Sequence, residues 1–159
     1  MSARFPNLVQ RVRLFLLAIA ALQFLVVFSN IAYAAPSKDE YDLQERCGKL
    51  AAERFRRDWG TEGLHSEKGL QTTVRFRNHY NARLNRCFVL YTVNIYTTTT
   101  AKVALRTIQL TLFEANTNKD YGTYLSADDE PRPMDCWVGE QKCASRREFD
   151  ALASQLLGD

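Results

Sequence analysis

The sequence predicts an α+β fold: an N-terminal helix, an antiparallel sheet of about four strands, a disulfide hairpin and a C-terminal helix. Three observations carry this expectation. Two S-x-x-E capping boxes, at Ser37–Glu40 and Ser145–Glu148, each open a stripe of apolar residues at helical spacing. Between them the apolar period falls to two, in runs rich in β-branched and aromatic residues. All four cysteines lie beyond an export leader, where an oxidising compartment favours bridges.

Residues 1–34 read as a secretory signal peptide. Arg4, Arg11 and Arg13 make a basic leader without acidic residues, the apolar run Leu14–Phe28 follows, and Ala32-Tyr33-Ala34 supplies the small-residue cleavage site. That apolar run has 15 residues, short of the ~20 that span a bilayer, so cleavage is expected rather than retention as an anchor. What remains, residues 35–159, is the length of a single disulfide-stapled domain. The whole chain carries 21 basic and 18 acidic residues. Losing the three leader arginines leaves the exported part electrically balanced, which argues against nucleic acid as a partner. No stable membrane insertion is expected after cleavage.

After the first capping box, Leu43, Cys47, Leu50, Ala51 and Phe55 form the buried stripe of a helix that ends near Trp59, with Gly60 as its stop. Strands are expected over Thr72–Arg77, Cys87–Tyr96, Val103–Phe113 and Tyr121–Leu125. In the second of these, Cys87, Val89, Tyr91, Val93 and Ile95 share one face while Phe88 and Leu90 start the other, so that strand is central or covered on both sides. In the third, Ile108, Leu110 and Leu112 oppose Thr107, Gln109 and Thr111, a half-buried alternation. The last helix carries Phe149, Leu152, Ala153, Leu156 and Leu157 and closes at Gly158. Both helices are expected on one face of the sheet.

Cys136 and Cys143 are spaced to join the two arms of a small hairpin, which pairs Cys47 with Cys87. A zinc site would need C-x-x-C or Cys/His spacing, and neither is present.

The segment from Asn78 to Cys87 is the most unusual in the chain, with three asparagines, a histidine and a tyrosine between two strands. It reads first as a structured turn, because asparagine tolerates left-handed backbone and bonds its own main chain. Its functional reading is a recognition surface of His79, Tyr80, Asn81, Arg83 and Asn85 held on a rigid scaffold. His65 reads as an exposed loop residue. Tyr91, Tyr96, Tyr121, Tyr124 and Trp137 read as core and cross-strand packing ahead of a ligand groove. Arg75 and Arg77 read as the solvent face of a strand. Asp128-Asp129-Glu130 reads as a solvated loop rather than a cation site.

The set His79-Tyr80-Asn81-x-x-Leu84-Asn85-Arg86-Cys87-Phe88, then Tyr121-Gly122-x-Tyr124, then Cys136, Cys143, Ser145 and Glu148-Phe149 resembles a family of small exported proteobacterial proteins of uncharacterised function. The resemblance runs from Cys47 to the last helix. It implies an envelope location, with the periplasm ahead of the medium, and brings no catalytic residue, cofactor or substrate with it.

No G-x-S-x-G, H-E-x-x-H or P-loop is present, and bridged cysteines offer no thiol nucleophile. The expected function is therefore a non-catalytic module, with no cofactor or metal, that binds a protein or another envelope component. An inhibitor of a cell-wall or secreted hydrolase is the alternative. A small hydrolase using His79 as general base comes third.

Overall fold

A computed structural model describes residues 37–98, 104–127 and 132–158. The signal-peptide segment and Asp128-Asp129-Glu130 lie outside the described residues.

Helix α1 runs Lys38–Trp59. Its capping box is reciprocal: Glu40 N donates to Ser37 Oγ at 3.2 Å, and Ser37 N donates to Glu40 Oε2 at 2.8 Å. It stops at Gly60, whose φ of 73° favours glycine. Cys47, Ala51 and Phe55 are its buried positions, as the stripe anticipated. Helix α2 runs Arg146–Leu157 from Ser145, whose hydroxyl accepts Glu148 N. Here the box is not reciprocal, because the Glu148 carboxylate accepts from Ala144 N at 2.8 Å instead.

The sheet corrects the expected strand number. It has seven antiparallel strands in chain order, not about four. They are β1 (Leu64–Glu67), β2 (Leu70–Asn81), β3 (Arg86–Thr98), β4 (Ala104–Glu114), β5 (Asp120–Ala127), β6 (Asp135–Val138) and β7 (Gln141–Lys142). β6 and β7 are the two arms of the expected hairpin, joined to the sheet edge rather than standing apart. β1 escaped notice because it is four residues long and exposed throughout, so no alternation marks it. His65 accordingly belongs to strand β1, not a loop, and its Nε2 lies 3.1 Å from Trp59 O.

The placement of the helices is also corrected: they lie on opposite faces. On β3, Cys87, Val89, Tyr91 and Val93 pack with Cys47, Ala51 and Phe55 of α1. Phe88 and Leu90 point the other way and pack with Phe149, Ala153 and Leu157 of α2, together with Leu110, Leu112 and Tyr124. A strand apolar on both sides needs a cover on both, and one helix goes to each. Phe88, Phe149, Leu90, Leu110 and Leu112 are almost wholly buried. Each contributes roughly 1.5–3 kcal/mol from transfer out of water.

Both bridges form as the spacing implied. Cys47–Cys87 fastens α1 to β3 with a Cα–Cα distance of 5.4 Å, and Cys136–Cys143 closes the β6–β7 hairpin at 5.0 Å. Two such bridges are the chemistry of an oxidising, extracytoplasmic setting. Among the described residues, no helix is long and apolar enough to cross a membrane.

Candidate functional site

The segment singled out in the sequence is not one loop. Asn78 to Asn81 complete β2, and only Ala82 to Asn85 turn. The longer strand has a structural reason: these polar side chains tie β2 to both helices. Tyr80 N donates to Gln44 Oε1 of α1 at 2.6 Å, beyond the reach of β1, so the helix satisfies an edge N–H. Asn81, only 7% exposed, donates through Nδ2 to Gln155 O and Leu156 O, both at 3.2 Å. Those carbonyls belong to the last turn of α2 and have no partner within the helix. Asn81 Oδ1 also accepts Leu84 N at 3.1 Å, and the Tyr80 hydroxyl donates to Asn85 Oδ1 at 2.6 Å.

His79 sits under the end of α2. Gly158 closes that helix with φ 70°, and a β-carbon there would fall 2.5 Å from the His79 ring. The approach and the backbone conformation both require glycine.

Of the five residues, then, His79 and Asn81 lie on the α2 side of the sheet, while Tyr80 lies on the α1 side. Arg83 and Asn85 are exposed on the turn with Leu84, and Asn85 has φ 51°. The set is split between faces rather than gathered into one surface. Tyr80 and Asn85 do share the wall of a cavity of about 220 Å³ with Leu43, Leu50 and the Cys47–Cys87 bridge.

A second site was not visible in the sequence. On the α1 face the helix covers β2, β3 and the Phe113 end of β4 but leaves Gln109 and Thr111 of β4 open, and a groove of about 300 Å³ runs between them. Gln109 and Thr111 of β4 form its floor, Arg54, Asp58 and Trp59 its helical wall, and Asn118 and Asp120 its far rim. The cross-strand pairs Tyr91–Thr111 and Val93–Gln109 place an aromatic and an aliphatic side chain beside each polar one. The β4 alternation had marked Gln109 and Thr111 as ordinary solvent face. The signal available was their position beside Tyr91, which required the register.

Tyr91 is the distinctive member. Its ring packs edge-on against Phe113 at 5.0 Å and Phe55 at 6.0 Å, and the residue is 7% exposed. Its hydroxyl is buried and makes no hydrogen bond of good geometry, although the Asp58 carboxylate is close enough to act on it as an acceptor. Burial, and then the Asp58 carboxylate nearby, push its pKa up to about 12, so it stays a neutral phenol across the physiological range. Arg54 is held from three sides: Nε 3.4 Å from Asp58 Oδ2, the guanidinium 4.6 Å above the Phe113 ring, and Nη2 donating to Asn118 Oδ1.

The other aromatics split. Tyr124 packs against Phe149 at 6.0 Å, and Tyr121 lies edge-on to Phe88 at 5.1 Å, both in the core under α2. Tyr96 lies under Arg106, and Trp137 Nε1 donates to Asp135 at 3.2 Å.

Chemically, the groove offers hydrogen bonds and an apolar wall. Its lining contains neither histidine nor cysteine. Both histidines lie elsewhere, His65 at the end of α1 and His79 under α2. All four cysteines are bridged, and among the described residues no cluster of three or more His, Cys, Asp or Glu side chains could hold a metal ion. No family model matches the chain, and neither a curated protein nor a solved structure matches it.

Proposed function

We propose that this chain is an exported, non-catalytic binding module whose ligand seat is the groove between α1 and β4. The observation that carries the reading is the Tyr91 hydroxyl, buried in the groove wall with no well-formed hydrogen bond and only the Asp58 carboxylate as a nearby acceptor. Burying a hydroxyl with no well-formed bond costs up to about 1–3 kcal/mol, a cost that a bound ligand removes by hydrogen-bonding to it. The leader, the two bridges and the resemblance to exported proteobacterial proteins support an envelope setting, with the periplasm ahead of the medium.

The test compares variants in capture from envelope extract under non-reducing conditions. Thr111→Trp, which fills the groove, is expected to lose the component that the unmodified protein retains, while Arg83→Ala keeps it. Equal capture by both variants would remove the groove from consideration.

A second reading is favoured by the turn at Ala82–Asn85. Bonds from Asn81 and Tyr80 brace it, and Leu84 stands 37% exposed beside Arg83 at its tip. A rigid, protruding turn loses little entropy on docking, which suits an inhibitor of a cell-wall or secreted hydrolase. Stoichiometric inhibition that is lost in Arg83→Ala or Leu84→Ala supports it, and no inhibition across a panel of such hydrolases would end it.

A further inference from the structure

Two more cavities adjoin the groove along the same flank of α1. One of about 520 Å³ shares Arg54 with it, and the cavity beside the Cys47–Cys87 bridge shares Leu50 and Asn116 with that one. The three therefore lie in a row, an elongated trough along α1 that the Arg54–Asn118 bond crosses. Its charges balance: Arg46, Arg54 and Arg57 stand against Glu53, Asp58 and Asp120. A trough without net charge exerts no overall pull on an anion or a cation.

We infer that the trough takes a neutral, linear saccharide, with one sugar ring seated against Tyr91, Trp59, Gln109 and Thr111. This rests on the binding function proposed above. Each sugar hydroxyl both donates and accepts, so it can meet the Tyr91 phenol, which also does both, and the Thr111 hydroxyl beside it. Gln109 and Asp120 present a planar amide and a carboxylate that take two neighbouring hydroxyls at once, while Asp58 and Asn118 hold Arg54 beside them. Trp59, the partly exposed aromatic of the lining, offers apolar surface to the ring's C–H face. At about 300 Å³ the seat nearest Tyr91 is at the small end of ligand sites, suited to a ring or two, and the adjoining cavities extend it.

An extended peptide fits less well. Peptides that lie along sheets use a free strand edge for main-chain bonds, and the floor here is the face of β3 and β4, each paired on both sides.

The experiment titrates the oxidised protein, as recovered from its producing cells and ¹⁵N-labelled, with four probes. They are cellotetraose, maltotetraose, the N-acetylated chitin tetrasaccharide and an end-blocked tetra-alanine peptide. Amide shifts of Tyr91, Gln109, Thr111 and Arg54 are followed, together with the affinity and thermal midpoint of Tyr91→Phe and Gln109→Ala. The expected result is saturable shifts at these residues with at least one tetrasaccharide. At least tenfold weaker binding is expected in Tyr91→Phe, with no fall in its midpoint. Tetra-alanine moving the same residues while no saccharide does would overturn the saccharide and leave the groove standing as a binding site. Saccharide shifts confined to Arg83 and Asn85 would overturn this seat. No probe moving any groove residue would overturn the saccharide, and loss or retention of capture in Thr111→Trp then decides the binding reading separately.

Discussion

The side-chain amide of Asn81 donates to the carbonyl of Leu156 at 3.2 Å, so the end of β2 caps the last turn of α2. The same amide reaches Gln155 O, and Asn81 Oδ1 takes the Leu84 N–H. One buried side chain thus joins a strand, a helix terminus and a turn.

Replacing Asn81 with alanine should therefore be costly. It leaves two helix carbonyls and one amide without partners in a nearly closed site, which costs about 2–3 kcal/mol. Urea unfolding of Asn81→Ala should show a lowered midpoint. Arg83→Ala, two residues on and exposed, should stay within about 0.5 kcal/mol of the parent. Equal stability of the two variants would show that the Asn81 bonds do not hold the helix end.

The two bridges should differ in worth. Cys47 and Cys87 are 40 residues apart, and Cys136 and Cys143 are seven apart. Loop-closure entropy assigns about 4 kcal/mol to the long loop and about 2.5 to the short one. Replacing each pair with alanine and comparing denaturation midpoints checks the order, and the Cys47/Cys87 variant should fall further.

Much of this was legible in the sequence, and what was not has physical causes. The two capping boxes fixed where each helix begins, and the spacing of Cys136 and Cys143 marked their hairpin. The apolar residues on both sides of β3 announced a doubly covered strand, but the half-polar pattern of β4 argued for a solvated face and both helices beneath the other. The outcome reconciles the two. α1 covers only part of its face, and Thr111 and Gln109 floor the part left open. His79, Tyr80 and Asn81 drew notice for being polar between strands, which was sound, yet Tyr80 and Asn81 satisfy backbone groups of distant elements, and composition does not carry that information. Tyr91 looked like core and is core. That its hydroxyl lacks a well-formed hydrogen bond depends on tertiary packing alone.

Glu114 gives the fold an acid-sensitive joint in the β4–β5 turn. The residue is 3% exposed, and burial works to raise its pKa. Bonds from the Thr117 hydroxyl, Asn116 N, Asn116 Nδ2 and Thr117 N outweigh that and hold the carboxyl below its ordinary value of 4.5. A folded pKa below the unfolded one gives stability that is fully present above the unfolded value. It fades as pH falls past that value and through the folded pKa. Unfolding midpoints measured from neutral pH into the acid range should drop over that window, and Glu114→Gln should flatten the drop. A variant whose acid limb matches the parent would assign the loss to other carboxylates.

The most direct test of the groove is a paired measurement on Tyr91→Phe: its thermal midpoint and its capture of the envelope component retained by the unmodified protein. The substitution keeps the ring against Phe55 and Phe113 and removes only the hydroxyl that makes no well-formed bond. A hydroxyl kept for a ligand leaves the midpoint unchanged or raised and capture sharply reduced. Capture that survives intact, or a midpoint that falls, would contradict the assignment of this groove as the binding site.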